Sequence, residues 1–239
     1  MQHTLFLSDL HLEDNSPQRT QWLIDLLKGP ARDAEAVYIL GDLFEYWIGD
    51  DALSVTAQQV AKATSGLSGS GVRCYFLHGN RDFLLGEQYA SIAGLQLLPE
   101  SCVVDLYGIP TLLLHGDTLC TDDIEYQAFR QQSRDPAWQS AMLSLPVPER
   151  LQLAQNARAA SAKHTASASM EIMDVNPEAV CNAFRENNVE RMIHGHTHRP
   201  AVHSVELGDT VAERIVLADW YDAGSYLEVS AERISSERL

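Results

Sequence analysis

Five short clusters of polar residues hold side chains that could do chemistry together. In chain order they are Asp9-Leu10-His11, Gly41-Asp42-Leu43-Phe44-Glu45, Gly79-Asn80-Arg81-Asp82, His115-Gly116-Asp117 and Gly195-His196-Thr197-His198. Seven of these side chains are candidate metal ligands: Asp9, His11, Asp42, Asn80, His115, His196 and His198. The set contains four imidazoles, two carboxylates and one amide oxygen. Mixed nitrogen and oxygen donors suit Mn²⁺, Fe²⁺ or Zn²⁺, and the lack of thiolate argues against a structural zinc or iron–sulfur site. Seven ligands are too many for one ion and enough for two if a carboxylate bridges. Asp42, leaving the middle strand, is the expected bridge. Two ions about 3.5–4 Å apart clamp the attacking and leaving oxygens of a phosphoryl displacement. Each cluster taken alone has a plainer reading, as a turn or a helix start. Their order, each after an apolar run, carries the metal reading.

Such side chains need strands that end together. Apolar runs of strand length occupy residues 4–8, 36–40 and 72–77. Helical patterns separate them. One starts at Ser16-Pro17, carries Trp22, Leu23, Leu26 and Leu27, and stops at Gly29-Pro30; the other covers residues 52–67. Alternating strands and helices predict βαβ units and a largely parallel sheet, with the ligand beyond the carboxyl ends of its strands. Residues 101–106 and 110–114 around Tyr107-Gly108 read as a hairpin. After Cys120, about 55 residues have helical character, broken at Pro136, Pro146 and Pro148. Strands are expected again at 191–194, 200–206, 214–217 and 225–229. The expectation is one α/β domain over residues 1–239 with a helical insertion at about 122–170.

Composition limits the partners. The 239 residues include 17 Lys and Arg against 33 Asp and Glu, a net charge of −16. That balance argues against nonspecific nucleic-acid binding and against charge-driven docking on anionic lipid. Bound cations would still let so acidic a chain act on a phosphate. No run approaches the ~20 apolar residues of a membrane span. The first residues lack the basic region of a signal peptide, and Asp9 interrupts their apolar run. The four scattered cysteines read as reduced thiols of a cytosolic chain.

On the five clusters, the chain resembles the calcineurin-like metallophosphoesterases, whose pattern is D-x-H, G-D-x-x-[DE], G-N-[HR]-[DE], H and G-H-x-H. The resemblance runs from Asp9 to His198 and implies a β-sandwich flanked by helices, an αββα arrangement. Arg81 stands where most members have a His that protonates the leaving group. Longer stretches (residues 38–45, 47–51, 78–86, 115–123, 172–176 and 194–201) resemble a branch that cleaves the pyrophosphate of a UDP-diacylglucosamine lipid in lipid A biosynthesis.

This resemblance implies two Mn²⁺ per subunit. Asp9, His11, Asp42 and His198 would hold one, and Asp42, Asn80, His115 and His196 the other. A hydroxide bridging the metals would attack the α-phosphorus and release UMP and 2,3-diacylglucosamine 1-phosphate. The leaving sugar phosphate is already a weak base, so a charged Arg81 stabilising phosphate oxygens suits it better than an acid. Asn80, Arg81 and His196 would also touch substrate, as would Asp123, Tyr126, Arg158 and Ser161. Thr165 and Ala168 stand where the best-known members have Asn and Lys, with Lys163 as a compensating cation. The apolar stretch of Trp138, Met142, Leu143, Leu145 and Val147 fits either core packing or an acyl-chain cover. The implied location is peripheral, on the cytoplasmic face of the bacterial inner membrane, with no nucleic-acid or obligate protein partner. Another binuclear nucleotide pyrophosphatase or phosphodiesterase is the alternative. A non-catalytic scaffold is the remote one, and it would be expected to lose ligands.

Overall fold

Three five-residue strands begin the first sheet of the computed structural model, in which residues 2–167 and 174–239 are described. β1 (His3–Leu7), β2 (Ala36–Leu40) and β3 (Arg73–Leu77) run parallel. They alternate between two buried faces. Leu5, Leu7, Val37 and Ile39 point to a helical layer, while Phe6 and Leu40 point to a second sheet. Burial on both faces explains why these strands read as continuous apolar runs.

α1 (Pro17–Lys28) and α2 (Val55–Ser68) connect these strands. Pro17 opens α1 as expected, but the Ser16 hydroxyl does not cap it and donates to Glu13 Oε1 at 3.3 Å. α2 starts at Val55, three residues later than expected, because Ser54 caps it by accepting from the Ala57 N–H at 3.0 Å. α3 (Glu87–Ala93) and β4 (Gln96–Leu97) follow β3 without a sequence signal. The distant Asp50 secures α3, accepting from the Gly86 and Tyr89 N–H groups at 2.9 Å each.

β5 (Ser101–Leu106) and β6 (Ile109–Leu114) form the expected hairpin, with Tyr107 and Gly108 both at positive φ. Next come α4 (Ile124–Ser133), α5 (Pro136–Ser144), α6 (Val147–Ser167) and α7 (Pro177–Asn187). Pro136 and Pro148 lie in the first turns of α5 and α6, where a missing N–H leaves no bond unmade. β7 (Arg191–His194), β8 (Ala201–Glu206) and β9 (Val211–Val216) complete the second sheet in the order β5-β6-β7-β9-β8.

β10 (Ser225–Ser230) and β11 (Ile234–Arg238) return to the first sheet, ordered β11-β10-β1-β2-β3-β4. Both new pairings are antiparallel, so this sheet is mixed where the alternation predicted a largely parallel one. β10 covers the free edge of β1, and a pairing of such long range leaves no local pattern. The two sheets face each other across Phe6, Leu40, Leu113, Ile193, Ile215 and Leu227. α7 covers the outer face of the second sheet with Val180 and Phe184. The layers are therefore helix, sheet, sheet, helix.

Candidate binuclear metal centre

All five clusters lie immediately beyond the carboxyl ends of β1, β2, β3, β6 and β7. There the backbone turns in an uncommon way. Asp9, His11, Asp42, His196 and His198 have φ of 55°, 50°, 52°, 69° and 54°. Among the described non-glycine residues, these are five of seven with positive φ, a conformation costing about 1–3 kcal/mol each. Two glycines make room for the carboxylates. A Cβ on Gly79 would stand 2.1 Å from Asp42 Oδ1, and one on Gly195 would stand 2.1 Å from Asp9 Oδ2.

The side chains converge in two groups. In the first, His198 Nε2 is 3.3 Å from both Asp9 Oδ1 and His11 Nε2. In the second, Asn80 Oδ1 is 2.9 Å from His115 Nε2 and 3.0 Å from His196 Nδ1. Asp42 stands between them, with Oδ2 4.0 Å from His11 Nδ1 and Oδ1 3.7 Å from His115 Nε2. Asp9 Oδ1 and His11 Nδ1 are buried with only poorly aligned contacts, to His198 Nε2 at 3.3 Å and Glu45 Oε2 at 3.2 Å. A buried polar atom left so costs about 1–3 kcal/mol. Two divalent cations would satisfy these donors, and the set fits them.

Supporting contacts fix the ligands. His115 Nδ1 meets Leu40 O at 2.8 Å, which leaves Nε2 to face the centre. Asp9 Oδ2 accepts from the His196 N–H at 2.9 Å and from the Ser8 hydroxyl at 2.6 Å. Burial opposes ionisation of Asp9, but His198, His115 and His11 hold its carboxyl below the usual range. Burial pushes His196 down to about 4, so its imidazole is neutral and able to ligate. The neighbouring His194 is pushed down to about 3 by burial and by Arg214, whose Nη1 donates to its Nε2 at 3.1 Å. His194 is thereby committed to packing.

Arg81 adjoins the expected bridge. Its N–H donates to Asp42 Oδ1 at 2.9 Å, its Nε is 3.4 Å from Asp42 Oδ2, and its Nη1 donates to Glu45 Oε1 at 2.9 Å. Glu45 also takes Arg158 Nε at 2.8 Å and lies 3.2 Å from His11 Nδ1. Tyr126 lies over His196, ring centres 6.0 Å apart, but its hydroxyl is occupied, donating to Asp117 at 2.6 Å. Asp123 caps α4 by accepting from the Tyr126 N–H at 3.0 Å. Ser161 and Lys163 are exposed on α6; the Thr165 side chain and Ala168 lie outside what is described. Of the apolar stretch, Met142 packs against the first core, Trp138 faces Phe83 at 6.2 Å and Leu143 is 39% exposed. No residue of α5 is fully buried, and of the stretch Met142 alone packs against the core, so most of it faces outward.

Several site residues carry no role in the sequence reading. Asp82, fully buried, accepts from the N–H groups of Gly79 at 2.9 Å and Leu43 at 2.7 Å and so joins two of the loops. Asp117 accepts from Arg130 Nε at 2.9 Å as well as from Tyr126, and Arg134 donates to Gly79 O at 2.8 Å. Tyr126, Arg130 and Arg134 recur every four residues, a spacing that places them on one helix face. Tyr221 lies parallel to His11, with ring centres 5.1 Å apart, and Asp219 is 3.9 Å from His198 Nδ1. Buried Trp220 anchors their loop through its N–H to Asp9 O at 3.1 Å.

An αββα sandwich with these paired clusters has the form of a metallophosphoesterase with a candidate binuclear site. A family model for calcineurin-like phosphoesterases matches residues 3–200, and the chain belongs to that family. Within it, the chain is similar to UDP-2,3-diacylglucosamine hydrolase of Stenotrophomonas maltophilia, 54% identical across 99% of this chain and 98% of the relative. The enzyme of that name from Xanthomonas campestris is 49% identical over the same shares. Among solved structures, a novel archaeal phosphodiesterase superposes with a TM-score of 0.52 at 12% identity, covering 99% of each chain, a likeness of fold. Among the described residues, no helix is long and apolar enough to cross a membrane.

Proposed function

We propose that this chain is a UDP-2,3-diacylglucosamine hydrolase of lipid A biosynthesis. It cleaves the pyrophosphate by water attack at the α-phosphorus, giving UMP and 2,3-diacylglucosamine 1-phosphate. The observation that carries this reading is the position of Arg81. It lies against Asp42, between two ligand groups, in a chain half identical to enzymes of that name. Asp9, His11, Asp42 and His198 would hold one cation, and Asp42, Asn80, His115 and His196 the other. Mn²⁺ suits this donor set. Two cations held there would lower the pKa of bound water toward neutral pH and offset charge on the phosphoryl oxygens.

The chain's own residues do the rest. Arg81 directs a permanent charge at the phosphate oxygens as negative charge grows there. Glu45 holds Arg81 and Arg158 on one carboxylate and so keeps both guanidiniums at the same border of the centre. The sugar phosphate departs as a weak base, so no side chain need protonate it. The acyl chains have apolar side chains to meet in a cavity of about 420 Å³ between the body and α6, where Leu12, Phe44, Trp47, Ile48, Val147 and Leu151 stand beside Glu13, Asp14 and Asp51. The helical insertion, α4 to α6, acts as the lipid cover, and the protein meets its substrate peripherally at the membrane.

The test is turnover of UDP-2,3-diacylglucosamine by chelated protein before and after Mn²⁺ is restored, beside a dinucleoside polyphosphate. Metal-dependent release of UMP from the lipid is expected. Preference for the soluble dinucleotide overturns the substrate assignment.

A further inference from the structure

The centre has a second border. α4 and α6 meet it at His196 and Glu45, whereas the start of α1 and the loop after β9 meet it at His11 and His198. Beside this second border lies an open cavity of about 500 Å³, within the size range of small-molecule sites. Two of its lining residues touch the ligand group directly. Tyr221 lies flat on His11, and Arg19 donates from Nη1 to His11 O at 3.1 Å. The Arg19 guanidinium also covers the Tyr221 ring, 4.7 Å from its centre.

The lining chemistry is selective. It contains the amides of Asn15 and Gln18, the half-buried indole of Trp22 and one cation, Arg19. It contains no carboxylate, although the chain has 33 acidic residues. An anionic ligand therefore meets Arg19 in the lining, while the carboxylates next to it, Glu13, Asp25 and Asp219, are bonded to Ser16, Gln21 and Tyr221. A primary amide presents a donor beside an acceptor, and the imide edge of uracil presents the complementary pair. An indole offers a face for a base.

A pyrophosphate diester has one organic arm on each phosphorus. The cavity beside α6 offers apolar side chains to a diacyl arm, while Glu13, Asp14 and Asp51 in its lining oppose an anionic nucleotide. We infer that the cavity between the start of α1 and Tyr221 is the nucleoside subsite, with Asn15 and Gln18 reading the uracil edge and Arg19 facing the nucleotide phosphate. This rests on the activity proposed above and names the residues that would select its uridine arm.

The test uses Mn²⁺-loaded protein and UMP. Gln18→Glu keeps the side-chain shape but sets a carboxylate against uracil oxygens and phosphate. Gln18 is the second residue of α1, whose first turn has no acidic side chain, so Glu there favours the helix and folding is preserved. Calorimetric titration should show UMP binding weakened at least about tenfold in Gln18→Glu and in Asn15→Ala/Gln18→Ala, with no fall in melting temperature. Binding of 2,3-diacylglucosamine 1-phosphate should not change. Photolabelling with 4-thiouridine 5′-monophosphate should mark peptides holding residues 15–22 or Tyr221. Unchanged UMP affinity in both variants, or label on α4–α6, overturns the subsite. Turnover of the UDP-lipid by the wild type, run in parallel, separates the two failures. Turnover with misplaced label sinks the subsite alone, while absence of both turnover and UMP binding sinks the activity as well.

Discussion

The Arg158 guanidinium, on the long helix α6, donates from Nε to Glu45 Oε1 at 2.8 Å, across 113 residues of chain. Glu45 lies in the cluster after β2 and also holds Arg81. One carboxylate thus binds the insertion to the reaction centre. Burial opposes ionisation of Glu45, but His11 and Arg81 hold it charged. Glu45→Gln keeps the shape and removes the charge. Removing a supporting contact of this kind costs about 10–100-fold in activity or metal affinity. Steady-state kinetics with excess Mn²⁺ and metal analysis of the same variant should show a loss in that range; wild-type kcat and metal content would refute the coupling.

Gly195→Ala is expected to displace Asp9. The added Cβ would lie 2.1 Å from Asp9 Oδ2, and the neighbours, Ser8 and the strand end, are fully buried. Overpacking of this kind costs about 1–3 kcal/mol. Elemental analysis after Mn²⁺ loading should find less than the wild-type content, with hydrolysis lost in parallel. Asp42→Ala should lose both ions together; near wild-type turnover in that variant would sink the bridging scheme.

Arg81→Lys should fall far below what its conserved charge suggests. A compact ammonium cannot span two phosphate oxygens as a planar fork does. Nor can it keep its contacts to both Asp42 and Glu45. The expected result is a kcat reduced by about 10–1,000-fold with bound metal unchanged. Equal kcat in variant and wild type would rule out a bidentate role.

Asp117 anchors α4 to the body, and its loss should show in stability. Burial opposes its charge, but His115, His196, Arg130 and the Tyr126 hydroxyl hold its carboxyl well below the usual range. A carboxyl lowered on folding contributes stability that is complete above its unfolded value, about 4, and lost as pH falls below it. Asp117→Asn removes one partner of Arg130, which keeps Glu100 at 2.8 Å, and should cost about 1–3 kcal/mol near neutral pH. Melting temperatures of the two proteins should converge in acid. A constant gap from neutral pH down to acid would show that charge is not the source.

Association with anionic vesicles should be apolar in origin. The net charge of −16 repels such a surface, and two divalent cations reduce that charge without reversing it. Leu143 and Val147, 39% and 37% exposed, offer apolar contact, at about 0.8 kcal/mol per buried CH₂. Sedimentation should show binding kept or strengthened by salt and weakened by Leu143→Asp. Release by salt, with no effect of the substitution, would point to a basic patch.

The ligands were legible because their identity alone narrows the chemistry, and because doubly buried strands such as β2 and β7 announce their bounds. The supports were not. Asp82 and Asp117 act through N–H groups and cations distant in sequence, and nothing near them signals it. Tyr221 reaches His11 because Trp220 anchors a loop at the other end of the chain. β11 has a polar, half-exposed pattern, and α3 depends on Asp50 for its first-turn partners. Ser16 occupied the expected place and made a different bond. Most of these concern a partner far along the chain, whereas Ser16 turns to Glu13, three residues away.

The five ligand residues with left-handed backbone have a consequence for where the fold's stability goes. At about 1–3 kcal/mol each, their conformations together rival the stability of an ordinary domain. The two packed sheets and their helices share in sustaining them, and ligation of any bound ions would add to that support. Part of the fold's stability is thus taken up by the ligand loops, so a change that loosens the sheets should be felt first at the centre.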